Sequence, residues 1–288
     1  MPHLLCLVYA ALAGIVQGVT EWLPISSTGH LILLESVFGA KLEASVMTPQ
    51  FSEMFDVVIQ FGSIMAIVVI YFKRLDPFSP SKSKEERRET LTLWKNIIIA
   101  ALPAGVVGLL SDDKLSATVF REPQVRYVIA GALLFYGIWF IVIERKNTGR
   151  TYKTVSPEKI GTKTALGIGV FQVLALIPGT SRSGSTIIGS SALGVSRTAS
   201  AEFSFFVAVP VMLGASSLKI VKFASSGASF TLLQFSVLAT GTLVAFLVSL
   251  ATVKFLVGFV RRHSFEGFGW YRIALALAVT VYFAFIIK

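Results

Sequence analysis

Six long apolar segments constrain the fold of this chain more than any other feature. Each is close to the roughly 20 residues that an α-helix needs to cross the hydrocarbon core of a bilayer. Hydrophobic residues make up 54% of the chain and charged residues 15%, against about 25% charged in a soluble domain. The apolar runs are continuous and do not alternate, which disfavours a β-barrel. We therefore predict an all-α polytopic membrane protein with six transmembrane helices. The predicted spans are residues 54–72, 92–110, 124–143, 200–220, 233–258 and 268–287.

Two further regions, 4–38 and 164–193, contain apolar arms that are interrupted by polar residues. In the first region the arms 4–16 and 31–38 are both shorter than a span. We predict that each region is a re-entrant helical hairpin, broken at Pro24 in the first case and at Pro178 in the second.

The predicted order is hairpin, three spans, hairpin, three spans. Because three is odd, the two hairpins would enter the membrane from opposite faces, which is the arrangement of an inverted repeat. We expect a single membrane domain over residues 1–288, with pseudo-repeat halves 1–145 and 160–288.

The basic residues predict the orientation of the chain. Most of the 26 Lys and Arg residues lie on one side of the predicted spans, in the segments 73–95, 144–163 and 254–272, and Arg272 is counted with them. The positive-inside rule places this side in the cytoplasm, so both termini would face outward. The net charge of +10 is then explained by topology, and nucleic acid is not expected as a partner.

The first polar interruption carries the acid Glu21, the run of three hydroxyl residues Ser26, Ser27 and Thr28, and His30. Gln17 and Glu21 are four residues apart and therefore share one helix face. The helix should end just before Pro24, which lacks an N–H and restricts the preceding residue. Ser26 or Thr28 can then cap the next short helix, whose free N–H groups attract an anion.

The second interruption, residues 178–186, holds one basic residue in a long apolar stretch. Arg182 needs an anion if it is buried, and its fork of donors suits a phosphate. We expect Ser183 or Ser185 to cap the helix that follows. In an alternative interpretation Arg182 pairs with Glu21 and holds the two hairpins together, since ionisable groups in membranes usually pair. The two interpretations can coexist.

His30 also has two interpretations. A single histidine on an apolar helix is often just hydrogen-bonded within the core. Here it lies three residues after Ser27 and just inside the break, so acid–base catalysis is also consistent with its position. Its side chain is expected to lie over the preceding turn, towards Ser27.

Taken together, the two motifs resemble those of the undecaprenyl-pyrophosphate phosphatase family, also called the bacitracin-resistance family. The first motif is Gln17-x-x-x-Glu21 with Pro24-x-Ser-Ser-Thr-Gly-His30, and the second is Pro178-Gly-x-Ser-Arg-Ser-x-x-Thr186. The resemblance covers nearly the whole chain, including Ala201–Phe205. The first position of the family motif is Glu or Gln, and Gln17 here weakens any mechanism that needs two carboxylates.

The resemblance implies an enzyme of the bacterial inner membrane. Family members hydrolyse undecaprenyl diphosphate to undecaprenyl phosphate and inorganic phosphate, and so recycle the lipid carrier for peptidoglycan and other wall polymers. The resemblance also implies re-entrant hairpins and an inverted repeat. We expect a polyprenyl diphosphate lipid as substrate, membrane lipid around it and an active site towards the outer leaflet. The oligomeric state stays open, with a homodimer as one alternative.

We expect phosphoryl transfer with Arg182 as the clamp on the terminal phosphate. Ser27 is the candidate nucleophile, with His30 as its base and later as the acid for the leaving group. Direct attack by water is the alternative. Glu21 would orient His30 or hold a divalent cation, Mg²⁺ or Ca²⁺, with Gln17 as a neutral ligand. The residues expected to bind substrate are Gln17, Ser26, Thr28, Gly29, Gly179, Ser181, Ser183 and Thr186.

A different class of function, a polyprenyl-phosphate flippase or secondary transporter, follows from the architecture alone. Inverted repeats whose broken helices meet at mid-depth are characteristic of such transporters. The hydroxyl, histidine, arginine and glutamate side chains at the breaks favour hydrolysis over transport. A structural scaffold is a third interpretation, and it leaves a buried Glu21 and Arg182 without a purpose.

Overall fold

The computed structural model describes residues 2–42, 44–118, 124–225 and 230–285. Over these ranges the protein is helical and contains no β-strand, apart from one isolated bridge between Thr154 and Val195. The α-helices, in chain order, are α1 (Pro2–Thr20), α2 (Ser27–Phe38), α3 (Pro49–Ile70), α4 (Phe72–Leu75), α5 (Lys84–Thr118), α6 (Gln124–Lys146), α7 (Thr162–Val173), α8 (Arg182–Ala192), α9 (Arg197–Ser225), α10 (Leu232–Val260) and α11 (Glu266–Phe285).

Seven of these helices are long and apolar enough to cross a membrane, within the part of the chain that the structure describes. Six of them, α3, α5, α6, α9, α10 and α11, match the six predicted spans. Residues 71–72 of the first span lie beyond the end of α3, and residues 286–287 of the last lie outside the described ranges. The seventh is α1. Residues 4–16 are predicted to be an arm shorter than a span, but the helix continues through Gln17 to Thr20 and reaches 19 residues. The protein is therefore an all-α, multi-pass membrane protein.

The two polar interruptions are breaks between helices, as the prolines predict. Residues 21–25 form a turn between α1 and α2, and α2 has 12 residues. Helix α7 continues into a 3₁₀ turn at Leu174–Leu176, and α8, with 11 residues, begins after a second break. Neither α2 nor α8 reaches the roughly 20 residues of a span.

Close backbone contacts hold the helix that precedes each break. A Cβ atom on Gly14 of α1 would lie 2.6 Å from the carbonyl oxygen of Gly241 in α10. A Cβ atom on Gly169 of α7 would likewise lie 2.6 Å from the carbonyl oxygen of Ala100 in α5. Small residues permit such close approach between helices in a membrane. The two arms that end at the breaks are therefore fixed against long helices in the same way.

Candidate active site

The short helices α2 and α8 begin with the same unusual backbone geometry. Ser26 has φ of 75° and Ser181 has φ of 74°, and these are the two non-glycine residues with positive φ in the described chain. Each serine is an N-cap: the Ser26 hydroxyl accepts from the N–H of Gly29 at 3.3 Å, and Ser181 accepts from Gly184 at 3.2 Å. Such conformations cost about 1–3 kcal/mol and tend to occur at functional sites.

The caps confirm one prediction and correct another. Ser26, one of the two candidates for the first helix, is its cap. The expectation of Ser183 or Ser185 for the second helix is wrong, because α8 begins at Arg182 and the cap is the residue before it. Ser183 instead lies inside the first turn, where its hydroxyl is 3.1 Å from the hydroxyl of Ser181.

Arg182 and Glu21 join the two breaks directly. The Nη2 atom of Arg182 lies 3.1 Å from Oε1 of Glu21, and the side chains are 10% and 4% exposed. Arg182 also donates through Nη1 to the carbonyl oxygen of Ser204 at 2.6 Å, and its guanidinium lies over the Trp22 ring at 5.7 Å. The ion pair expected in one of the two interpretations of Arg182 is therefore present, and it brings both motifs into one site.

The other oxygen of Glu21 faces two neutral donors. The Ser27 hydroxyl donates to Oε2 at 3.3 Å, and Gln17 donates to the same oxygen through Nε2 at 2.9 Å. Ser27, the candidate nucleophile, therefore already has a carboxylate as hydrogen-bond acceptor. The spacing of four residues between Gln17 and Glu21 places their side chains together, as predicted.

An open cavity of about 150 Å³ lies where the two breaks meet. The starts of α2 and α8 both border it, and the first N–H groups of a helix have no acceptor within the helix. Two positive helix ends and one arginine therefore face the same space, which suits an anion. The residues that line it are Glu21, Ser27, Thr28, Gln60, Ala175, Leu176, Ile177, Pro178, Gly179, Ser181, Arg182 and Met212.

His30 is oriented differently from the expectation. Its Nδ1 atom lies 2.7 Å from the carbonyl oxygen of Ser26, and its Nε2 atom lies 2.8 Å from the Tyr271 hydroxyl. The ring does lie over the preceding turn, but it contacts the backbone there, and the Ser27 hydroxyl bonds Glu21 instead. The reason is Tyr271, which stacks on the ring with an interplanar angle of 6°. His30 is not among the cavity residues.

Arg272 contacts both breaks, which the sequence did not predict. The count of basic residues assigns it to the cytoplasmic side, and it lies within α11 with no exposed surface. Its guanidinium donates to the carbonyl oxygens of Pro24 in the first break and of Gly179 and Thr180 in the second, at 3.0, 2.7 and 2.9 Å. An ionisable residue inside a predicted span was the signal for such a role.

The remaining predicted binding residues divide into two groups. Gly179, with φ of 88°, and Thr28 line the cavity. Gly29 and Thr186 lie behind it: the first is bonded to the Ser26 cap, and the second bonds the Ser204 hydroxyl at 2.7 Å. Sequence reasoning did not single out Gln60, Trp22 or Ser204, because the contacts that give them a role come from distant parts of the chain.

Few candidate ligands for a metal ion surround this site. No group of three or more His, Cys, Asp or Glu residues in the described ranges could hold an ion. Glu21 is the carboxylate of the cavity, and beside it the Oε1 atom of Gln17 is buried without a hydrogen-bond partner among the described residues. One carboxylate and one spare amide oxygen fit a cation that takes its other ligands from phosphate and water.

Comparison with known proteins assigns the chain to a family. A family model described as Bacitracin resistance protein BacA matches residues 10–278. An undecaprenyl-diphosphatase of Enterococcus faecalis is 48% identical over 276 residues, which cover 96% of this chain and 97% of the relative. An undecaprenyl-diphosphatase of Lactiplantibacillus plantarum is 46% identical over 277 residues, covering 96% and 98%. The chain belongs to the bacitracin resistance protein BacA family.

Proposed function

We propose that this protein hydrolyses undecaprenyl diphosphate to undecaprenyl phosphate and inorganic phosphate. It thereby recycles the lipid carrier of peptidoglycan and other wall polymers and contributes to bacitracin resistance. The observation that carries the proposal is the convergence of Glu21, Ser27 and Arg182 on one cavity at the start of two short helices. The names of the relatives agree with this activity.

Arg182 and the two helix ends bind the terminal phosphate of the substrate. Phosphoryl transfer requires charge on the transferred group to be neutralised and the nucleophile to be aligned. Arg182 supplies a fixed cation, because the Ser204 carbonyl and Trp22 hold its guanidinium in place. The apolar lining residues Leu176, Ile177 and Met212 lie beside these polar groups and are suited to the start of the prenyl chain.

Ser27 attacks the terminal phosphorus, and Glu21 accepts the proton of its hydroxyl group. The bond from this phosphorus to the bridging oxygen breaks, and polyprenyl phosphate leaves. Water then attacks the phosphoserine, Glu21 returns its proton to the Ser27 oxygen as that oxygen leaves phosphorus, and inorganic phosphate is released with the protons of the water. Glu21 is a better candidate for the base than His30, because the Ser27 hydroxyl already donates to it. In the alternative route Glu21 activates water for direct attack.

A divalent cation, Mg²⁺ or Ca²⁺, is a further part of this proposal. Glu21 and the unpartnered Oε1 atom of Gln17 would hold it, and it would neutralise negative charge on the diphosphate. Because Gln17 is neutral, Glu21 is the carboxylate of the cavity lining that pairs with Arg182. The substrate phosphate therefore competes with a single carboxylate for the arginine.

We further propose that the two breaks are the tips of re-entrant hairpins in an inverted repeat. In support, α1 packs on α10 and α7 packs on α5, which is one relationship repeated between the two halves of the chain. The basic segments 73–95 and 144–163 favour a cytoplasmic location for that side. Both termini would then lie outside, with the first hairpin and its Ser27 open to the outer leaflet.

Phosphate release by the purified protein in detergent tests the activity. Undecaprenyl diphosphate in micelles needs no transport across a bilayer, so release there reports hydrolysis alone. We expect turnover by the wild type and by Lys95→Gln, an exposed residue of α5 outside the cavity, and loss in Arg182→Ala. No release by the wild type with Mg²⁺ or Ca²⁺ present would contradict the proposal. Movement of labelled polyprenyl phosphate across vesicles in that case would support a transporter.

A further inference from the structure

A second cavity lies at the end of α6 and shares no residue with the first. It has a volume of about 770 Å³, within the range of roughly 300–1,000 Å³ that is usual for ligand pockets. Its residues come from the last turns of α6, from the turn that follows and from the last residue of α8. They are Trp139, Val142, Ile143, Lys146, Asn147, Thr148, Gly149, Arg150 and Ala192.

One wall of this cavity is apolar and faces outward. Val142 is 56% exposed, and Ala192 at the end of α8 is also exposed. Trp139 is half-buried beside them. Apolar residues with a tryptophan near the end of a membrane-spanning helix are typical of the boundary between hydrocarbon and head groups. This wall is therefore suited to the upper part of a lipid chain.

The lining also carries two cations, Lys146 and Arg150, without a carboxylate partner among the described residues. Lys146 is exposed and makes no hydrogen bond or ion pair there, and Arg150 donates only to the neutral Oδ1 atom of Asn147, at 2.9 Å. Nearby arginines are neutralised: Arg145 pairs with Glu266 at 2.7 Å, and Arg197 pairs with Glu144 at 2.6 Å. Unbalanced positive charge is thus present at the edge of the cavity.

The dipole of α6 explains the position of Lys146 but not that of Arg150. Lys146 lies in the last turn of α6, where a cation complements the helix dipole. Arg150 lies beyond the helix, and Gly149, with φ of 75°, turns the chain before it. The Nη2 atom of Arg150 then lies 3.1 Å from the position of a Cβ atom on Gly194, in the turn after α8. The guanidinium is therefore held between two turns of the protein.

We propose that this cavity binds the phosphate head group of an anionic membrane lipid. Lys146 and Arg150 contact the phosphate, since arginine and lysine donate charge-assisted hydrogen bonds to it. The acyl chains follow Trp139 and Val142 into the bilayer. No carboxylate lines the cavity, so it retains the lipid without hydrolysing it. The inference is independent of the reaction proposed for the first cavity.

Short-chain lipids provide the test on the full-length protein in detergent. We expect dioctanoyl phosphatidylglycerol to raise the Tm at concentrations where dioctanoyl phosphatidylcholine and inorganic phosphate do not. In the double variant Lys146→Gln with Arg150→Gln, the apparent Kd for phosphatidylglycerol should rise about tenfold or more, because two cations near the membrane surface are removed. The matched control is Lys95→Gln with Lys163→Gln, two exposed lysines outside both cavities, and it should bind as the wild type does.

Three outcomes would overturn the proposal. They are an equal response to the zwitterionic lipid, an equal response to inorganic phosphate alone, and wild-type affinity in the double variant. A second measurement applies if the double variant does not fold. A photoactivatable phosphatidylglycerol should crosslink to the wild type within residues 139–150, and crosslinks only elsewhere would contradict the assignment.

Discussion

The Ser27 hydroxyl donates to the carboxylate of Glu21, over 3.3 Å, from the first turn of one helix to the end of another. This contact spans the first break and couples the candidate nucleophile to an acid that also pairs with Arg182. A proton can therefore leave Ser27 without any rearrangement of the backbone. The roles of these two residues can be separated by substitution.

For Ser27→Ala we expect turnover to be lost, because the covalent route has no other hydroxyl bonded to Glu21. Glu21→Gln should lower kcat by about 10²–10⁴-fold, the usual contribution of a general base. Phosphate release by the purified variants measures both effects. Ser36→Ala, on the same helix but outside the cavity, serves as the control. Near-normal turnover in Ser27→Ala would exclude the covalent route and leave attack by water.

Arg182→Ala should reduce kcat by about 10²–10³-fold, as when a donor to a developing charge is removed. Arg182→Lys keeps the charge but loses the planar fork, so we expect it to recover only part of the activity. Arg145→Ala removes an exposed arginine that also forms an ion pair, and it should retain activity. Full activity in Arg182→Ala, with an unchanged elution profile, would contradict the phosphate clamp.

Arg272→Lys should destabilise the protein and impair catalysis together. Lysine cannot reach three separate carbonyl oxygens, and each lost hydrogen bond from a charged donor is worth about 1.5–3 kcal/mol. We expect a lower Tm and a lower kcat, because both breaks that frame the cavity lose a support. Arg262→Lys, on the exposed turn before α11, is the control. A variant with the wild-type Tm would show that the carbonyl groups find other partners.

Ser181 allows backbone strain to be separated from capping. Ser181→Ala removes the cap, at about 1 kcal/mol, and keeps the positive φ, whereas Ser181→Gly also relieves the strain. We therefore expect the glycine variant to have a higher Tm than the alanine variant. Thr231, the cap of α10, has φ of −80°, so the difference in Tm between Thr231→Gly and Thr231→Ala should be smaller. Equal differences in Tm at the two positions would argue against strain at Ser181.

Stability at low pH should depend on Glu158, which lies outside the spans. Burial raises the pKa of this carboxyl, but hydrogen bonds from Arg74, one of 2.9 Å, act together with the backbone N–H of Glu158, the charge of Arg74 and the Ser156 hydroxyl to lower the pKa below its ordinary value of 4.5. The ion pair therefore stabilises the fold above that pH and is lost as the pH falls through the lower, folded value.

The difference in Tm between the wild type and Glu158→Gln measures this effect. We expect a difference that is largest above the ordinary carboxyl pKa and that shrinks on acidification. Glu85→Gln, an exposed carboxylate on α5, reports the change of net charge alone. A difference that grows as the pH falls would contradict the assignment.

The features that local chemistry controls could be predicted from the sequence. Continuous apolar runs predict the spans because only their length and composition matter. Pro24 and Pro178 predict the breaks because a proline cannot donate to the helix. The spacing of Gln17 and Glu21 predicts their shared face.

The features that depend on packing between distant segments could not be predicted in this way. The orientation of His30 depends on Tyr271, which is provided by the last helix. The contribution of Gln60 to the cavity depends on how α3 is rotated against the distant segments that form the second break. The cap of α8 differs from the expectation because the helix begins at Arg182, one residue before Ser183 and three before Ser185.

The three carbonyl bonds of Arg272 limit how the protein can move. Neither break can move away from the other without leaving a buried guanidinium short of acceptors. Many transporters work by alternating access, in which one half of the protein rocks against the other. Such a motion here would break the hydrogen bonds from Arg272 to the two breaks in every cycle. The two breaks are therefore suited to act as one rigid frame around the cavity.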